Sequence, residues 1–93
     1  MISAKTAKAM TEKASRREKN IVLAFINATV KQKCELGFHT ATVFFSELMD
    51  TRRNGGFYVS DNTMCPMPYE VEKALKEMGY TVEKKDKWYD IAW

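Results

Sequence analysis

Apolar residues recur along this chain with two different periods. Ile21, Val22, Phe25, Ile26, Thr29, Val30 and Lys33 follow an i, i+3, i+4 spacing, which lines them along one face of an amphipathic helix. Ser3 offers an N-cap hydroxyl, Ala4 to Met10 are good helix formers, and no Gly or Pro intervenes before Gly37. One long helix is therefore predicted from Ser3 to the approach of Gly37. In its first half a stripe at alternating spacings of three and four runs Ala4, Ala7, Thr11, Ala14, Glu18, Ile21, Phe25, and small side chains of this kind let a second helix approach closely.

Beyond Gly37 the period shortens. His39 to Phe45 is rich in β-branched and aromatic residues and reads as a strand. Ser46 to Arg53 reads as a short helical turn capped by Ser46, Asn54-Gly55-Gly56 as a turn, Phe57 to Ser60 as a second short strand, and residues 61–67 as a loop. Pro68 suits a first helical position. Val71, Ala74, Leu75 and Met78 then make one apolar stripe, with Glu72–Lys76 and Lys73–Glu77 at i, i+4 spacing on the wet face and Gly79 as the stop. Tyr80 and Val82, then Tyr89, Ile91 and Trp93, alternate with polar neighbours around Lys84-Lys85-Asp86-Lys87, the pattern of an antiparallel hairpin. The expected fold is α+β: a long N-terminal helix and a second helix packed on a small antiparallel sheet of three or four strands that ends in a β-hairpin.

Ninety-three residues suffice for one core, so residues 1–93 are expected as a single domain with a basic helical extension (1–20) and a globular body (21–93). The formal charge of +3 is unevenly placed: residues 1–20 hold six basic and two acidic side chains, a net of +4, against nine basic and ten acidic in the rest. Anion attraction thus belongs mainly to the N-terminal segment. No apolar run approaches the ~20 residues of a membrane helix, and Met1-Ile2-Ser3-Ala4-Lys5 leads into charge rather than a signal core. A cytoplasmic protein with no membrane contact is expected.

Little in the sequence points to catalysis. Cys34 and Cys65 read as two buried reduced thiols, and with His39 they lack the paired spacing of a tetrahedral metal site. His39 has no nucleophile motif around it, and neither a phosphate-binding loop nor a dinucleotide fingerprint is present. No enzyme activity, metal or cofactor is expected. Three basic pairs, Arg16-Arg17, Arg52-Arg53 and Lys84-Lys85, together with Phe57 and Tyr58, are the candidate ligand-binding residues, since guanidinium forks and aromatic faces suit a small anionic, nucleotide-like ligand. Ala4, Ala7, Thr11, Ala14 and Ile21 are the candidate oligomer interface. A helix followed at once by a basic-tipped hairpin also suits a winged-helix nucleic-acid binder, whose helix before the wing enters the major groove. Glu70, Glu72 and Glu77 on that helix would face phosphates.

Leu75-Lys76-Glu77-Met78-Gly79-Tyr80-Thr81-Val82, the closing Tyr89-Asp90-Ile91-Ala92-Trp93 and the long helix Ala4 to Lys33 resemble a group of small tailed-phage accessory proteins. The resemblance implies a gene product that works by binding, to host factors, to defence components or their nucleotide signals, or to assembly partners, and it transfers no site residue. The combined expectation is a non-catalytic, homo-oligomeric binding protein of phage type acting on a host protein or a small anionic ligand, with nucleic acid as the alternative.

Overall fold

The computed structural model describes residues 1–93. Its elements are α1 (Ala4–Glu35), β1 (Thr40–Phe44), α2 (Phe45–Asn54), α3 (Tyr69–Glu77), β2 (Thr81–Lys84) and β3 (Trp88–Ala92). The Ser3 hydroxyl accepts from the Thr6 N–H at 3.2 Å and starts α1 as an N-cap. Gly37 ends it at φ +86°, a conformation open to a residue without Cβ. There the Phe38 and Gly37 N–H groups donate to the Lys33 and Cys34 carbonyls, the paired C-terminal bonds that satisfy a helix's last acceptors. The same bond pair closes α2 through Gly56 and Phe57, and α3 through Gly79 and Tyr80.

The sheet order is β1-β3-β2, antiparallel throughout, with Ala41 opposite Ile91 opposite Val82 and Val43 opposite Tyr89. Alternation sorts its faces. Ala41, Val43, Tyr89 and Ile91 are buried beneath the helices, while Thr40, Thr42, Phe44, Thr81 and Glu83 stay exposed on the far side. On the helical side, Val22, Ile26 and Val30 of α1 meet Leu48 of α2, Val71 and Leu75 of α3, and Met67 of the loop. Each of the α1 residues contributes about 1.5–3 kcal/mol by leaving water. No helix is long and apolar enough to cross a membrane.

Three local expectations are corrected. Ser46 caps nothing: α2 starts one residue earlier and has no side-chain cap, because the Phe45 N–H donates at 2.9 Å to the Lys87 carbonyl in the hairpin turn. The helix also runs to Asn54, longer than one turn. Phe57 to Ser60 is not a strand; its Phe57 N–H bonds the Arg52 carbonyl and its Val59 carbonyl accepts from the Arg53 side chain, so no ladder partner is required. Cys34 and Cys65 are exposed free thiols rather than buried ones. Of the two i, i+4 pairs on α3, Glu72–Lys76 forms at 3.3 Å.

The long axis of 53 Å is set by α1, since 32 residues rise ~48 Å. The radius of gyration of 14.6 Å exceeds the ~12 Å of a compact chain this size, because the N-terminal end of α1 extends past the body.

Candidate functional site

The structure engages most of the candidate basic residues internally. Arg17 lies over the Phe57 ring at 4.8 Å. Arg52 bonds Glu18 through Nε at 3.1 Å and the Pro66 carbonyl through Nη1 at 2.8 Å. Arg53 donates to the Val59 carbonyl and to Asp61, each at 2.7 Å. Arg17, Arg52, Arg53 and Phe57 thus converge at the C-terminal end of α2, where the guanidinium donors satisfy carbonyls of a loop with no ladder of its own. Lys84 holds the other end of that loop, with Nζ 3.2 Å from the Met64 carbonyl and 3.3 Å from Cys65 Sγ. Lys85 pairs with Glu83 at 2.7 Å, and that hydrogen bond and charge keep its ammonium protonated to higher pH. Tyr58 projects into solvent, 90% exposed.

The oligomer candidates lie along the projecting half of α1. Ala4 and Thr11 are exposed, Ala7 and Ala14 half-buried. Ile21 is turned to the body: a Cβ added at Gly55 would come within 2.9 Å of its Cδ1, so it packs over the last turn of α2.

A second surface was not singled out by the sequence. Between α1 and α3 lies a groove of about 400 Å³, with Leu23, Ala24, Ile26 and Val30 on one wall, Leu75, Met78 and Tyr80 on the other, and Asn20 and Asn27 on the rim. Met78 stands at its mouth, 60% exposed, and Tyr80 is fixed by an edge-on contact with Trp93, centroids 6.2 Å apart. Across Asn20 and Ala24 the groove continues onto the outward face of α1, which carries Met10, Lys13, Ala14, Arg16 and Arg17. A separate polar crevice between α1 and α3 brings Glu70 and Glu77 beside Lys19 and Lys73.

The signal for this groove is the unbroken apolar run Ile21 to Ile26. Six consecutive apolar residues on a helix cover every face, so more than one face needs an apolar neighbour. Val22 and Ile26 meet the core; Leu23 and Ala24 line the groove.

No three His, Cys, Asp or Glu side chains gather at metal-ligand spacing. No family model, curated protein or solved structure matches the chain.

Proposed function

We propose that this chain is a non-catalytic binding module of the phage-accessory kind, acting in the host cytoplasm on a protein partner. Its working surface is the groove between α1 and α3 together with the outward face of α1. The observation that carries this reading is the apolar lining of the groove, open to water at Met78 and Ala24. Exposed apolar concavities on small domains mark interaction sites. A phosphate-bearing ligand would gain little from such walls, and Arg52, Arg53, Lys84 and Lys85 already have acceptors within the chain. Self-association through Ala4, Ala7, Thr11 and Ala14 would use the adjoining part of the same helix.

The test is a paired capture from bacterial cytoplasm followed by quantitative mass spectrometry. Ala24→Glu/Met78→Glu alters two exposed positions and should abolish capture of the specific partner, whereas Lys84→Glu/Lys85→Glu should preserve it. Partner recovery unchanged by the groove variant sinks this reading.

Nucleic-acid binding is favoured by one observation, that α3 passes directly into the β2–β3 hairpin with Lys85 and Lys87 at its tip. Against it, α3 carries Glu70, Glu72 and Glu77 against Lys73 and Lys76, and a 14-residue connection from Gly55 to Pro68 separates α2 from α3. This alternative requires affinity for a DNA duplex that falls steeply with salt and depends on Arg16, Arg17, Lys84 and Lys85.

A further inference from the structure

We infer that the occupant of the α1–α3 groove is an amphipathic α-helix of a partner protein, acidic along the flank that lies against α1; this rests on the reading of the groove as the binding surface. The geometry points to a helix. The walls are apolar side chains of two helices whose own backbone groups are paired, so an extended peptide seated there would bring unpaired N–H and C=O groups against apolar surface. A helix satisfies its backbone internally and presents apolar side chains at i, i+3, i+4 and i+7. The α1 wall from Asn20 to Val30 extends ~15 Å, room for about three turns of such a helix.

Charge selects the flank. From Lys13 to Cys34 the only carboxylate on α1 is Glu18, and it is bound to Arg52. Lys13, Arg16 and Arg17 border the groove's continuation, and Lys31, one turn beyond Asn27 on α1, is exposed. The α3 side is mixed, with Glu70 and Glu77 beside Lys73 and Lys19. A ligand helix therefore meets net positive charge along α1 and a balanced set of charges in the crevice beside α3. A second copy of this chain fits poorly, because its own outward α1 face would place the same three cations against these.

The experiment is selection of displayed 14-residue peptides on the full chain, with Ala24→Glu/Met78→Glu as counter-selection. The strongest recovered peptide is then measured by fluorescence anisotropy, alongside a version with its acidic residues changed to Lys. Recovered peptides should share helical apolar spacing with Asp or Glu on one flank. The groove variant should bind about tenfold or more weakly, since it buries an unpaired carboxylate, while its circular dichroism melt stays unchanged. Ala24→Arg separates seating from simple attraction: it adds positive charge yet obstructs the groove, so it should weaken binding, and stronger binding overturns the proposal. Equal affinity for the acidic and Lys versions overturns the acidic flank but leaves the groove as a binding surface if the groove variant still fails. Peptides that bind the groove variant as well as the parent sink both readings. A homodimer in native mass spectrometry that Ala24→Glu splits would put a second copy in the groove and overturn the heteromeric helix.

Discussion

Arg52 and Glu18 join the middle of α1 to the end of α2 through a 3.1 Å bond between side chains only 16% and 18% exposed. The same guanidinium reaches the Pro66 carbonyl at 2.8 Å, so one side chain ties two helices and the long connection between them. Arg52→Ala should destabilise the fold by about 1–3 kcal/mol, because Glu18 and the Pro66 carbonyl both lose their donor in a half-buried setting. Arg52→Lys should recover little of this, since an ammonium has no fork to span two acceptors. Urea denaturation gives the free energies, and chymotrypsin cleavage after Phe57 and Tyr58 should accelerate in both variants. Wild-type stability for Arg52→Ala would show that the bond is incidental.

Gly37 is open to substitution in space, with no atom within 4 Å of an added Cβ, but its φ is +86°. Gly37→Ala should therefore cost about 1–2 kcal/mol from backbone conformation alone, and Gly37→Asn less, since Asn tolerates this region. Equal thermal melts for the two variants would contradict that assignment.

Tyr89 is buried beneath the helices, and desolvation raises its phenol above the usual value of 10.0, opposed in part by a hydrogen bond with the Met67 backbone. A raised folded-state pKa means that the folded chain holds its proton more tightly than the unfolded one. The associated stability is complete below pH ~10 and is lost as pH rises through the folded value. Stability measured by urea should decline above pH 10 in the parent chain, and Tyr89→Phe should remove that component of the decline. A decline of the same size in Tyr89→Phe would assign it to other groups.

Removing residues 1–12 should change the free energy of unfolding by no more than about 0.5 kcal/mol, because that segment buries no core side chain. Amide hydrogen exchange should agree, with fast exchange through Ala4 to Lys13 and strong protection from Val22 to Val30. A large loss of stability on truncation would mean that the arm is docked in solution.

Where the sequence was legible, the deciding interaction lies within a few residues. Ser3 caps, Gly37 and Gly79 stop, and the two-residue alternation through Val82, Tyr89 and Ile91 marks a hairpin. Phe57 to Ser60 misled because strand propensity describes a half-buried pleated surface, whereas these residues are held by Arg52 and Arg53 and never meet a neighbouring strand. Ser46 misled because the Lys87 carbonyl, 42 positions from Phe45, accepts the Phe45 N–H where α2 begins.

The candidate site divides in the same way. The basic pairs were visible as residue types, but whether a guanidinium is free depends on which carbonyls the folded loop brings to it, and Arg52 and Arg53 are bound. The α1–α3 groove needs Ala24 and Met78, about fifty positions apart, to face one another across a gap. Local sequence by itself determined that α1 exists, where it ends and which face it buries, since a cap, a glycine stop and a repeat of a few residues act at short range. Only the tertiary structure decided what lies beside its second apolar face, because the spacing of two helix axes is set by side chains packing between elements distant in the chain.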